Sequence, residues 1–378
     1  MKHFVGTGKG NTKDAVSQAI KGLTNPKAII FFTDYKEIKE VNELVAQKYP
    51  DINILGIAGS SFYNGKALDS ADQYGDKKEN SVRVMAFLDE SEVEMGVIRD
   101  VNDTPIVSLR EFDEKIRKVD PNRENTVCMT FNLGEEEAVV STLKPILKKY
   151  NVPMMGGTVG GFMGKNEEPF FVLNGEVYKN ASAYVLVKNK AGKVKIYRQD
   201  IYEQDGDEML TITKVANRIS REIKQINGGR PDKLYSEKYH IDISDLKKNL
   251  IGYTLKNPLG AVIGSEHYVI SMADYLADGT VTTFKKVSEG ETIVHMKASN
   301  HDKKEKDLIE KIKREMSKRT LVFSVDCLFR VIYYNNEKYL DTYLSGMASL
   351  ADHVGIIGVG EQSQDQHFNQ TMICAVFE

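Results

Sequence analysis

The chain has 378 residues, 41% of them hydrophobic and 28% charged, with a formal net charge of -3. It is long enough for two domains with cores of their own. The near-neutral balance, with Lys and Glu interspersed and no strongly basic face or tail, excludes an electrostatic nucleic-acid footprint.

In chain order, Gly6-Thr7-Gly8-Lys9-Gly10-Asn11-Thr12 imitates a phosphate loop. A Walker loop needs Ser or Thr directly after its Gly-Lys and a glycine five residues before that Gly, whereas Gly10 follows Lys9. The stretch predicts a turn, with Asn11 or Thr12 capping a helix that carries Ala15, Val16, Ala19 and Ile20.

A longer pattern then recurs three times. An apolar run of strand type enters a glycine-rich turn at Ile54-Leu55-Gly56-Ile57-Ala58-Gly59-Ser60-Ser61, at Met154-Met155-Gly156-Gly157-Thr158-Val159-Gly160-Gly161, and at Val354-Gly355-Ile356-Ile357-Gly358-Val359-Gly360-Glu361-Gln362. Apolar strands precede these turns at 28–32, 127–131 and 321–325, and others follow at 82–87, 183–187 and 372–377. Residues at helical spacing lie between, such as Val41, Leu44 and Val45, or Val139, Leu143 and Leu147. The period is too long for a solenoid, so the pattern predicts duplicated α/β modules.

The first unit spans 26–99 and the second 125–188, with an Asn174-Gly175 hairpin turn and a short helix at 109–117 between the units. A charged stretch, 188–207, separates two halves, giving domains at 1–190 and 205–378. Beyond it, Met209, Ile212, Val215, Ala216, Ile219 and Ile223 predict a helix capped by Asp205 or Asp207 and stopped at Asn227-Gly228-Gly229-Arg230-Pro231. A strand at 261–264 follows, then two Thr- and Val-rich strands at 280–287 and 291–296, read as a hairpin turned at Glu289-Gly290. The charged run 301–319 carries Leu308, Ile309, Ile312 and Met316 on one stripe and predicts an amphipathic helix. The fold class is α/β (α+β): duplicated strand, helix, strand, strand units forming mixed sheets covered by helices, with αββα layers as one way to stack them.

Cys128, Cys327 and Cys374 are odd in number and set in apolar strands, which predicts packed, reduced thiols rather than disulfides or a zinc site. The seven histidines lack the close helical spacing of a metal site. No Gly-x-Ser-x-Gly elbow, Cys-His signature or His-Glu-x-x-His is present, and Ser60 with Ser61 is the one suggestive serine pair, so an enzyme is the runner-up reading. Met1 to Gly6 lacks the apolar core of a signal peptide, and the longest uncharged stretch, 150–164, is short and glycine-rich; the expectation is a cytoplasmic protein.

The C-terminal half resembles the FIST sensory domains of bacterial signalling proteins. The likeness rests on Asn227-Gly228-Gly229-Arg230-Pro231 with Tyr235, Asn257-Pro258-Leu259-Gly260, Asp278-Gly279, Glu289-Gly290-Glu291, Phe323-Ser324 with Cys327 and Arg330, Gly358-Val359-Gly360-Glu361-Gln362, and His367-Phe368-Asn369-Gln370-Thr371. The N-terminal half is similar to the companion FIST N domain through Gly56-Ile57-Ala58-Gly59-Ser60 and Gly156-Gly157-Thr158-Val159-Gly160. It departs from the family where the first turn usually carries Gly-Cys-Ser-Thr before a Gly-Glu pair, and in the extra glycine before Arg230. The resemblance implies a sensor of small molecules, amino acids being the proposed class, with no chemistry of its own. The two halves use up the 378 residues, so the expectation is a stand-alone protein that signals through an oligomer or a partner such as a histidine kinase, a chemoreceptor or a cyclic-dinucleotide enzyme. No cofactor is expected; since some FIST-type sensors are thought to bind haem, ligation by His353 or His367 is the alternative.

Recognising an amino acid requires a bidentate cation for the carboxylate, an acceptor for the ammonium, and free backbone amides. Arg230 and Arg330 are the candidates for the first role, Glu361 for the second, and the turns at Gly156 and Gly358 for the third. Gly56, Ser60, Thr158, Asn257, Asn369 and Thr371 complete the expected site. For Arg330 the competing reading is an ion pair with Asp326 or Glu361, and for Asn257 and Asn369 it is turn and cap chemistry.

Overall fold

A computed structural model describes residues 1–67, 80–159, 168–364 and 366–378; Gly160 and Gly161 of the second glycine stretch lie outside the described residues. The first repeat comprises β1 (His3–Gly10), α1 (Thr12–Ala19), β2 (Ala28–Thr33), α2 (Ile38–Lys48), β3 (Asn53–Ala58), the hairpin β4 (Ser61–Tyr63) and β5 (Lys66–Ala67), and β6 (Asn80–Phe87). The second repeats that order with β7 (Ser91–Arg99), α3 (Leu109–Val119), β8 (Thr126–Asn132), α4 (Glu136–Tyr150), β9 (Met154–Thr158), the hairpin β10 (Phe171–Leu173) and β11 (Glu176–Tyr178), and β12 (Ala181–Asn189).

The third repeat opens with β13 (Val194–Asp200) and is then interrupted. The insertion holds β14 (Tyr202–Gln204), β15 (Leu210–Val215), β16 (Ile219–Ile226), α5 (Pro231–Tyr239), α6 (Ile243–Lys248), α7 (Leu250–Lys256), β17 (Leu259–Ile263), β18 (Glu266–Ile270), β19 (Met272–Tyr275), β20 (Val281–Ser288) and β21 (Thr292–Ala298). The repeat resumes with α8 (His301–Glu315), β22 (Leu321–Cys327), α9 (Leu328–Asn336), α10 (Leu340–Ala348), β23 (Asp352–Gly358), the hairpin β24 (Glu361–Ser363) and β25 (Gln366–Phe368), and β26 (Thr371–Phe377).

The three expected units are thus present, with one topology. In each, two parallel strands joined by helix lie beside an antiparallel third: β2 with β3 and β6, β8 with β9 and β12, β22 with β23 and β26. Each hairpin leaves its own sheet. The hairpin of the first repeat pairs with β23, that of the second with β3, and that of the third with β9. The result is three six-stranded sheets, β1-β6-β2-β3-β10-β11, β7-β12-β8-β9-β24-β25 and β13-β26-β22-β23-β4-β5, locked to one another in a ring.

Side chains alternate across a strand, and here both faces are used. Ile30 and Phe32, Met129 and Phe131, and Phe323 and Val325 point into one shared core, where the Phe323 ring lies 6.4 Å from Phe32 and 5.9 Å from Phe131. The opposite faces pack on each sheet's own helices: Phe31 with Val16 and Val41, Cys128 with Phe112 and Leu143, Val322 with Ile312 and Tyr343. Burial on both faces is why these strands read as unbroken apolar runs. The layering is therefore mixed sheets covered by helices, as expected, with three such sheets around one core rather than the αββα layers that were one way to stack them. The insertion forms a separate antiparallel sheet, β18-β17-β21-β15-β16-β20-β19 with β14 on β21, covered by α5 to α7.

Several local expectations are corrected. Gly6 and Gly8 lie within strand β1 rather than in a turn, because α1 packs so closely that a Cβ at either position would strike the carbonyls of Ala19 and Ala15; Asn11 does cap α1 through the amide of Asp14. The helix expected over 209–223 is the strand pair β15 and β16. Bulges at Ile212, Lys214 and Val215 break strict alternation, so Leu210, Ile212 and Val215 fall at a spacing that imitates a helix. The turn at Glu289-Gly290 exists, but β20 and β21 are not neighbours: β15 and β16 lie between them, and the Gly290 amide donates to Ile212, 2.9 Å. The charged stretch 188–207 supplies β13 and β14. The helices at 109–119 and 301–315, the Asn174-Gly175 turn and the three buried free cysteines are as expected. Among the described residues no helix is long and apolar enough to cross a membrane.

Behind the third sheet, α8 and α9 enclose a charge network. Arg330 is 1% exposed and donates to Glu305 and Gln199, with Asp326 3.9 Å away and the rings of Tyr334 and Tyr343 at 4.9 and 5.2 Å. Tyr343 donates to Asp326, 2.5 Å, and Tyr334 to Glu305. Burial opposes the guanidinium's charge, but Tyr334, Glu305 and Asp326 more than offset it and raise its pKa. The Asp326 pair is one the sequence allowed; Glu305 could not be read from the sequence, since only the packing of α8 brings it near. Removing Arg330 alone leaves two buried carboxylates unmatched, so Arg330→Ala is expected to cost about 3 to 5 kcal/mol in urea unfolding. The pair Arg330→Met with Glu305→Leu should recover most of that loss; a single variant as stable as wild type would contradict the network.

Candidate functional site

The three glycine turns meet. The Ile357 amide donates to the Ser60 carbonyl at 3.0 Å, Thr158 to Gly360 at 2.8 Å, and Val359 to Thr158 at 3.0 Å. Several amides expected to await a ligand are thus bonded to a neighbouring turn. Gly56 pairs with Val172 of β10, and Gly156 with Gln362 of β24. Gly358 packs on Thr158 and Val325, where a Cβ would sit 3.1 Å from each, and one on Gly360 would fall 2.6 Å from Nε2 of His367. Such contact demands bare backbone.

Around the third turn lies a charged junction between the second repeat, the third hairpin and the insertion. The first turn of α4 presents Glu136 and Glu137, where the helix dipole favours anions. Thr158 donates its hydroxyl to Glu136. His367 Nδ1 is 3.0 Å from Glu137 Oε1. From the insertion, Arg221 of β16 reaches Glu136 and Glu137 at 3.3 and 3.1 Å, the Lys286 amide of β20 donates to Glu137 at 3.0 Å, and its ammonium pairs with Glu135. Burial would raise the Glu137 pKa, but His367 and Arg221 more than offset it and hold the carboxyl below the usual range.

The Lys285 ammonium and Nε2 of His367, in residues 9% and 3% exposed, have no hydrogen-bond partner among the described residues, nor does Oε1 of Glu361 beside them. Lys285 lies 5.3 Å over the ring of Tyr268, which stacks on Phe368 at 5.6 Å. Desolvation lowers its pKa and the nearby Arg198 adds to this, with Glu291 and Glu137 acting in the opposite sense. Glu136, Glu137 and His367 also form the one group with metal-ligand spacing among the described residues, their atoms within 4.8 Å. Arg221 already supplies the positive charge a cation would bring there.

The expected site residues divide between places. Thr158, Gly358 and Gly156 belong to the junction. Glu361 is buried beside it and accepts from Thr371, at 3.1 Å from the amide and 2.9 Å from the hydroxyl; burial raises its pKa well above the usual range. Asn369 accepts from the Ser271 amide at 3.2 Å, tying the third hairpin to the insertion. Arg230 is half exposed and pairs with Asp232 at 2.7 Å, and the Asn257 carbonyl accepts from Tyr235 at 2.8 Å, both within the insertion. Sequence reading missed Arg221, Lys285, Glu136 and Glu137. A signal was present for three of them: the acidic run Glu135-Glu136-Glu137 closely follows a strand's end, and Lys285-Lys286 in an alternating strand must turn one lysine inward.

Residues 27–228 match the FIST N domain and residues 233–364 match the FIST C domain. The chain belongs to the FIST family. FIST domains are sensory domains of signal-transduction proteins, so this FIST chain has a sensory role. A search of the curated proteins finds no match. The junction between the two FIST matches falls at the turn between β16 and α5, so the FIST N match ends inside the insertion that supplies Arg221.

The first turn has a different environment. His353 is buried, with Nε2 2.8 Å from Ser324 Oγ, and Arg83 donates to Ser61 at 3.3 Å. Burial, with Arg83 nearby, pushes the His353 pKa from 6.5 down to about 3. The unfolded chain therefore takes up this proton below pH 6.5 while the fold does not, and stability drains away as pH falls toward 3. From pH 7 to pH 5 wild type should lose about 2 kcal/mol more than His353→Gln in urea unfolding. Parallel losses in the two proteins would mean that His353 is charged in the fold.

Proposed function

We propose that this FIST chain is a ligand-sensing protein whose ligand is a small carboxylate, an amino acid being the leading class, bound at the junction of the third glycine turn, α4 and strand β20. The observation that supports this reading is the buried Lys285 ammonium, without a hydrogen-bond partner among the described residues, beside the acidic end of α4. A buried charge is costly unless paired and hydrogen-bonded, and a ligand carboxylate would pair it. Glu291, which acts on Lys285, would take the ligand's ammonium, Glu137 being held already by Arg221, His367 and the Lys286 amide.

In this reading Lys285 takes the carboxylate role first assigned to Arg330 or Arg230, both of which hold acids of the protein itself. Glu361, Asn369 and Thr371 position the third hairpin, so ligand binding would be felt where repeats and insertion meet. Output passes to a signalling partner in the cytoplasm, a kinase, chemoreceptor or cyclic-dinucleotide enzyme being the classes that fit a sensory domain, and the chain performs no chemistry on its ligand.

A ligand at a hundred times its dissociation constant stabilises by about 2.7 kcal/mol, which a thermal-shift screen of amino acids reads as a rise in Tm. Lys285→Met should abolish the rise without lowering the ligand-free Tm, because the buried ammonium gives up no hydrogen bond and its desolvation cost is relieved. If no amino acid shifts wild type at millimolar concentration, the ligand class is wrong; if Lys285→Met keeps the shift, the site is.

A further inference from the structure

The sheets of the ring are not closed equally at their edges. Strand β7 is the edge of the second sheet, and the hairpin β10 and β11 comes against it, leaving a cavity of about 190 Å³. Arg99 of β7 is matched there, 3.4 Å from Glu176 and 4.7 Å over the ring of Tyr178. Strand β13 is the corresponding edge of the third sheet. It runs along a groove of about 930 Å³ between α8 and α4, and of the facing hairpin β24 and β25 only Gln364, among the described residues, contributes to its lining.

Seven cationic side chains line this groove against two acids, Glu124 and Glu315. Those acids are taken: Glu124 lies 3.8 Å from Lys193, and Glu315 3.6 Å from Lys195. Arg123, Lys148 and Lys311 line the same groove with no carboxylate partner among the described residues. The outward amide of Val194 is bonded to the Glu124 carbonyl at 2.8 Å, so by the strand's period of two the outward amides that follow belong to Ile196 and Arg198. An open strand edge invites another strand, and native edges are normally covered or blunted.

We propose that this groove is the docking site for an extended acidic segment of a partner protein, which adds as a further strand along β13 with its carboxylates on Arg123, Lys148 and Lys311. Main-chain bonds to the edge give affinity, and the cations select the acidic sequence. Arg198 of the same edge lies over the Tyr268 and Phe368 rings of the Lys285 site, but the cations used here, Arg123, Lys148 and Lys311, are not among the groups around Lys285, so substitutions at these positions test this proposal by itself. The second-repeat groove shows the same arrangement satisfied from within the chain, with Glu176 in the place of the partner's acid.

The test uses the full chain and a fluorescein-labelled eight-residue peptide of alternating Glu and Val, read by anisotropy. Wild type should bind it, more weakly as salt rises, and should not bind the Lys and Val counterpart. Arg123→Glu with Lys148→Glu should weaken binding about tenfold or more. Ile196→Pro removes one outward amide at an edge position that tolerates proline, and should weaken it by a similar factor with the melting temperature kept. No binding by wild type, or binding that ignores the charge reversal, overturns the proposal. Binding that ignores Ile196→Pro overturns the added strand, and displacement of the peptide by single-stranded DNA at equal charge would point to an unspecific polyanion surface and overturn it too.

Discussion

Everything in this molecule depends on the exchange of hairpins at the glycine turns. Each sheet is completed by two strands from another repeat, so no repeat can bury its inner face or satisfy its edge alone. The exchange forces three chain reversals into one small region, where the Ser60, Thr158 and Gly360 carbonyls accept amides from neighbouring turns. Side chains would keep those backbones apart. The glycines are there because the ring must close, and the shared core of Phe32, Phe131 and Phe323 rests on that closure.

Against this frame the third repeat is the one that departs. Its insertion lays an antiparallel sheet over the third hairpin and the start of α4, and beside apolar packing on α8 and α9 it makes charged and polar contacts that the ring core lacks. Arg221 and Lys286 reach the acids of α4 from one side, while Asn369 and Gln370 bind Ser271 from the other. Charged groups so placed can be remade by a ligand at modest cost, whereas the ring core cannot. Arg330 illustrates the contrast. Its partners come from α8 and β22, and they hold helices to the sheet rather than facing the junction.

Much of the fold was legible in the residues. Strand, helix, strand, strand order is visible because doubly buried strands are unbroken apolar runs and the helices between them keep a 3.6-residue period. The exchange was not visible, because hairpins of two or three residues leave no periodicity and nothing in Ser61-Phe62-Tyr63 says that it pairs with Val354 rather than with its own sheet. The β15 bulges turned a strand into an apparent helix. At the site, the turns, Thr158 and Glu361 were legible from glycine spacing and family likeness. For Lys285 the sequence showed only that an alternating strand turns one of Lys285 and Lys286 inward; which one, and what it faces, needed the third dimension.

The proposed ligand acts where the insertion meets the ring. Hydrogen exchange of the full chain, with and without the amino acids at millimolar concentration, tests it most directly. Added protection is predicted in peptides covering 132–140, 280–291 and 358–371, the three segments that meet at the junction, with the outer helices unchanged. Protection confined to the loop around Arg230, or spread evenly over the chain, would contradict it.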